Sequence, residues 1–206
     1  MAKGKLKRVI TDAIGEKNPV FAQVLGICST LAVTNVLKNT VVMSIGVIFT
    51  LSLSSFTVSI LRKLIPGRIR MMVETLVIAS YVIIVDIVLR AYVPDIWRAL
   101  GPYVGLIITN CIIMGRTEAI ALNNPPGLSL VDGFASGIGY AYVLIIIAFV
   151  RELLGSGTLW GFTILGDWWQ NWAIMVMPPG AFFMLAIFVW VVKGVFIPSE
   201  EEEAKK

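Results

Sequence analysis

Six apolar runs of about 20 residues each dominate this chain: Pro19–Leu37, Thr40–Ile60, Val73–Val93, Gly101–Leu122, Leu130–Leu153 and Ile174–Ile197. About 20 residues of α-helix, rising 1.5 Å each, cross a hydrocarbon core about 30 Å thick. No stretch between the runs is long enough to build a soluble core. With 57% hydrophobic and 15% charged residues, a water-soluble domain is excluded. The sequence predicts an all-α integral membrane protein, one transmembrane domain of six helices. Gly, Pro, Ser, Thr and Asn punctuate the first and fourth runs, which predicts broken half-helices packed inside protein.

The charges then set an orientation. Lys3, Lys5, Lys7, Arg8 and Lys17 precede the first run. That run is too long for a secretory signal and lacks a small-residue cleavage site, so it reads as a retained span. With six spans, only Lys38, Arg90, Arg98 and Arg151 of the 17 basic residues fall on the side opposite the amino terminus. The positive-inside rule therefore predicts both termini in the cytoplasm. Trp97, Trp160, Trp168, Trp169 and Trp172 gather at the outer boundary, and "GDWWQNW" reads as a segment lying in the headgroup layer. The net charge of +4 is a topology signal and excludes a nucleic-acid partner, leaving membrane lipid as the first one.

Three spans on either side of about residue 98 predict two inverted repeats, about 1–98 and 99–206. Each half opens with a span carrying one of the two cysteines, and each second span ends in a related phrase, "ILRKLIPG" and "FVRELLGS". Cys28 lies ten residues before Lys38, and Cys111 ten residues after Gly101. Both sulfurs therefore fall about 15 Å from the outer boundary, near the middle of the membrane, on antiparallel helices. A single buried cysteine is ordinarily packing. A disulfide is disfavoured in this setting. Two thiolates in a chain without histidine cannot complete a tetrahedral zinc or a Cys₄ iron–sulfur site, but they supply half of one. Packing and a shared metal site both stay open at this point.

Charged groups within spans raise a functional question. Asp86 and Arg90 stand four residues apart on one helical face, which predicts a local pair, with a cation-exit ligand as the rival. Ser129 and Asp132 have capping-box spacing for the start of the fifth span. Arg116 reads as an interfacial side chain reaching for the headgroups. Asn110, beside Cys111, is a donor to sulfur or to backbone opened by a break. "GPYVG" at 101–105 and "GFASG" at 133–137 carry small-xxx-small packing spacing. No dinucleotide fingerprint, P-loop or covalent-flavin motif occurs, so this chain is expected to bind neither NADH nor flavin.

"NPVFAQVLGICSTLAVT", "GLIITNCIIMGRTEA", "LVDGFASGIGY" and "FVRELLGSGTLWG" together resemble the membrane-subunit family shared by the sodium-translocating NADH:quinone reductase and the Rnf electron-transport complex. The resemblance covers nearly the whole chain. It implies a bacterial inner-membrane translocase of six subunits, lettered A to F, in which this chain is not catalytic alone. It implies a [2Fe–2S] centre shared with a closest partner, the E subunit, each chain giving two cysteines, here Cys28 and Cys111. Electrons from NADH would pass through it toward ubiquinone, coupled to Na+ movement, with Asp132 a candidate for Na+ uptake. The alternatives are an Rnf membrane subunit, a non-redox carrier using Asp86 and Asp132 as ion ligands, and a scaffold for other redox subunits.

Overall fold

The computed structural model describes residues 25–160, 162–163 and 177–196. The described chain forms α1 (Ile27–Val33), α2 (Leu37–Leu61), α3 (Arg70–Tyr92), α4 (Pro94–Ile108), α5 (Cys111–Arg116), α6 (Pro126–Ser156) and α7 (Pro178–Phe196). Between α5 and α6 lies a π-turn, Thr117–Ala121, and after α6 a short antiparallel ribbon pairs β1 (Thr158–Leu159) with β2 (Phe162–Thr163). Among the described residues, four segments are long and apolar enough to span a membrane: α2, α3, α6, and α4 continued through the π-turn to Ala121. The stretch Pro178–Val192 of α7 is apolar but shorter. The "GDWWQNW" segment, and most of what precedes Cys28, lie outside the described residues.

Local chemistry explains several boundaries. Pro94 and Pro126 open α4 and α6 at positions where a missing N–H does no harm. Gly157, at φ 65°, ends α6 in the left-handed conformation that glycine adopts without a Cβ penalty. The fourth span begins at Pro94, earlier than the expected Gly101, and is interrupted between Ile108 and Cys111. The start of α2 has no cap of its own. Its first N–H, of Leu37, donates to Glu152 Oε2 at 2.6 Å, while Glu152 Oε1 accepts from Trp160 N–H at 2.9 Å. A buried carboxylate at a helix start satisfies an otherwise orphaned donor and suits the positive end of the helix dipole.

The centre of the molecule is the pairing of α2 with α6. A Cβ on Gly133 would lie 3.1 Å from Leu51 O, and one on Gly137 would lie 3.1 Å from Ile48 Cα. The later glycine meets the earlier residue, so the helices run antiparallel in backbone contact, as "GFASG" predicts. The other small-residue pair behaves differently. Among the described residues nothing lies within 4 Å of a Cβ built on Gly101 or Gly105, so no described helix packs against "GPYVG" as its spacing predicts. Buried hydroxyls along α2 turn back on their own helix, Ser44 to Thr40 O at 2.8 Å and Ser52 to Ile48 O at 2.7 Å. On α3 only Glu74, Ile78 and Val82 are buried, one stripe at four-residue spacing. Its other faces expose Met72, Leu76, Ile83 and Ile87, a surface that requires lipid or another membrane protein.

Two arginines cross-link the halves. Arg62, just past the end of α2, donates to Asn124 O at 3.0 Å, just past the π-turn. Arg151, near the end of α6, donates to Thr34 Oγ1, just past α1. Each ties the end of one central helix to the chain leaving the opposite cysteine segment.

Candidate functional site

Both cysteines stand at the start of a short helix after a break, and the two breaks meet. Before α1 the chain turns at Gly26, with φ 93°. A Cβ there would overlap Tyr140 Cε2, so both the backbone conformation and the space demand glycine. The Gly26 carbonyl accepts from Thr30 Oγ1 at 2.9 Å and from the Tyr140 hydroxyl at 3.3 Å. Its N–H donates to Cys111 Sγ at 2.8 Å, a bond across 85 residues of chain.

The second break is made by a side chain. Asn110 is fully buried in extended conformation; its Oδ1 accepts from Ile112 N–H at 3.3 Å and so caps α5. Its Nδ2 donates to Ser29 Oγ at 2.8 Å, beside Cys28 on the opposite segment. Asn110 thus meets the backbone at the break as an acceptor and not as the expected donor, and its donated bond goes to Ser29, which couples the two cysteine segments. Gly115 adds a close approach, since a Cβ on it would lie 3.0 Å from Leu25 Cδ1.

The two thiols are neighbours, and neither forms a disulfide. Cys111 is half-buried; Cys28 is exposed on the surface of this chain. Among the described residues no group of three or more Cys, Asp or Glu could hold a metal ion. Two adjacent thiols, one receiving a backbone N–H, fit half of the ligand set of a [2Fe–2S] cluster. Any cluster held here takes its other ligands from outside this chain, and the exposure of Cys28 leaves that side open.

The acidic residues have partners the sequence did not announce. Asp132 accepts from Arg116, and their side chains are only 6% and 15% exposed. The capping-box expectation is corrected, because α6 starts at Pro126, which puts Asp132 in its second turn, and Ser129 Oγ donates to Pro125 O. The interfacial reading of Arg116 is corrected with it: a buried anion draws its guanidinium inward. Asp86 Oδ1 accepts from Trp97 Nε1 at 3.0 Å, while the Arg90 guanidinium lies 4.9 Å from the centre of the Trp97 ring. The expected direct Asp86–Arg90 pair is replaced by a clamp in which both residues hold one indole.

Three further residues were not singled out in the sequence. Tyr140 fills the space over Gly26, Glu152 caps α2, and Glu74 lies fully buried on α3. Glu74 and Glu152 carried the available signal, each a carboxylate inside an apolar run.

The family model described as "Rnf-Nqr subunit, membrane protein" matches residues 6–189. Three curated relatives each carry the name of the D subunit of the Na+-translocating NADH-quinone reductase. The protein of Psychromonas ingrahamii is 47% identical over 94% of this chain and 95% of its own length. That of Shewanella loihica is 44% identical over the full length of both. That of Haemophilus ducreyi is 45% identical over 94% of this chain and 96% of its own. With matched breaks, paired thiols and similarity along nearly the whole chain, this protein belongs to the Rnf-Nqr family of membrane subunits.

Proposed function

We propose that this chain is a membrane subunit of a Na+-translocating NADH:quinone reductase, and that Cys28 and Cys111 are two of the four ligands of a [2Fe–2S] centre shared with the E subunit. The observation that carries this reading is the meeting of two broken segments, which sets two thiols side by side with Gly26 N–H on one of them. When bound, the cluster supplies one-electron transfer. The chain's own contribution is positional. Gly26 and Asn110 hold the breaks, Tyr140 and Ser29 brace them, and the apolar helices keep water away. Relatives named as the D subunit of this reductase support that assignment over the Rnf alternative.

The same reading places the protein in a bacterial inner membrane with six crossings, both termini cytoplasmic, among six subunits lettered A to F. The crossed Arg62 and Arg151 contacts and the antiparallel α2–α6 pairing are what two inverted repeats would produce, and they support that architecture. Asp132 and Asp86 belong to the Na+ pathway in this proposal. Neither is a free carboxylate, so passage of an ion requires it to exchange with Arg116 or with the Trp97 indole.

The test is electron flow in the assembled complex. In Cys28→Ala and Cys111→Ala variants NADH should still reduce the entry flavin, whereas quinone reduction and Na+ uptake into vesicles should both collapse. Undiminished quinone reduction in either variant would make the thiols packing residues and leave the carrier and scaffold readings.

A further inference from the structure

Where α3, the π-turn and α6 meet, five ionisable side chains lie in one neighbourhood. Arg116 pairs with Asp132, and Arg70, at the start of α3, pairs with Glu118 of the π-turn. The fifth is Glu74, one turn beyond Arg70 on α3, with Arg70 and Glu118 as its charged neighbours. It is completely buried, and neither carboxylate oxygen receives a hydrogen bond. Arg62, just past the end of α2, is committed to the carbonyls of Leu122 and Asn124.

Within these five described side chains two arginines stand against three carboxylates, and each arginine already serves a different one. A buried carboxylate that receives no hydrogen bond, and whose neighbouring cation is bound to another carboxylate, is strongly disfavoured as a bare anion. Among the described residues the one cation facing Glu74 is Arg70, and it is already bound to Glu118. The π-turn that carries Glu118 is itself a departure from α-helical bonding of the kind that recurs at functional sites.

We infer that Glu74, with Glu118 beside it, is an exchange site for one monovalent cation, Na+ or H+, at the end of the membrane domain where α3 begins. This rests on the functional reading above and adds to it a carboxylate outside the Asp132 and Asp86 pathway. Glu74 binds the cation in its resting state, and Arg70, four residues away, is the group able to replace it. Exchange then consists of Arg70 turning from Glu118 to Glu74 as the cation leaves, so that the net charge of the site falls by one and is carried by the partly exposed Glu118 carboxylate.

The experiment uses the purified whole complex carrying Glu74→Gln or Glu118→Gln, each first shown to retain its subunits and iron. Quinone reduction is measured against Na+ concentration and against pH, with Na+-dependent thermal stabilisation as an equilibrium readout. If the occupant is Na+, Glu74→Gln raises the half-saturating Na+ concentration tenfold or more and weakens stabilisation, and Glu118→Gln moves both in the same direction by less. If the occupant is a proton, the Na+ dependence stays put and one limb of the pH profile shifts by a unit or disappears. Unchanged Na+ and pH dependence in intact Glu74→Gln complex overturns the site. Wild-type complex indifferent to Na+ overturns the functional reading and the Na+ arm together, while the pH profile still decides the proton arm.

Discussion

The break before Cys28 and the break before Cys111 reach one outcome by opposite means. At Gly26 the helix start is made by the absence of a side chain, in a left-handed turn with the Tyr140 ring pressed into the space a Cβ would take. At Asn110 it is made by the presence of one, whose amide caps α5 and reaches across to Ser29. A steric requirement admits no substitute, whereas a hydrogen-bonding requirement admits partial ones. Damage at the two positions should therefore differ in size and in what repairs it.

The largest effect belongs to Gly26→Ala. The left-handed conformation alone costs an alanine about 1–2 kcal/mol, and the overlap with Tyr140 adds to it. Assembled complex and bound iron should fall severely, and adding Tyr140→Leu should restore part of both by removing the clash. Failure of that second substitution to help would remove the steric half of the comparison.

Next comes Asn110→Ala, which deletes a cap and a cross-segment bond in a buried site. A loss of about 1–3 kcal/mol follows, read as a lowered unfolding midpoint of the complex. Asn110→Ser, which keeps a capping oxygen, should recover about half of it. Smaller still is Tyr140→Phe, which keeps the ring over Gly26 but removes the hydroxyl bonded to its carbonyl, about 0.5–1.5 kcal/mol. If Tyr140→Phe proved as harmful as Gly26→Ala, the hydrogen bond and not the packing would govern the first break.

Much of this site was legible from the chain. Apolar runs marked the four spanning segments found among the described residues, and Gly, Thr and Asn inside two of the six runs announced the breaks that meet at the cysteines. Partnerships were not legible. Asp86 and Arg90 have ideal spacing for each other, yet Trp97, eleven residues beyond Asp86 and folded back on α4, takes both. Asp132 had the spacing of a cap, but Pro126 starts the helix earlier and Arg116 reaches in from α5. Arg70 and Glu74 have pair spacing too, yet Arg70 bonds Glu118. Spacing ranks only local partners; in each case a neighbour from another element won, and tertiary packing decides which neighbours exist. Gly101 and Gly105 repeat the lesson in reverse, since their spacing invites a helix and none of the described ones lies there.

The central claim is that Cys28 and Cys111 form one half-site and not two independent packing positions. Its most direct measurement is iron per complex in wild type, in Cys28→Ala, in Cys111→Ala and in the double variant, at matched subunit composition. The account predicts that either single substitution removes about two irons and that the double variant removes no more. Single variants that keep their iron, or a double variant that loses twice as much as either, would contradict it.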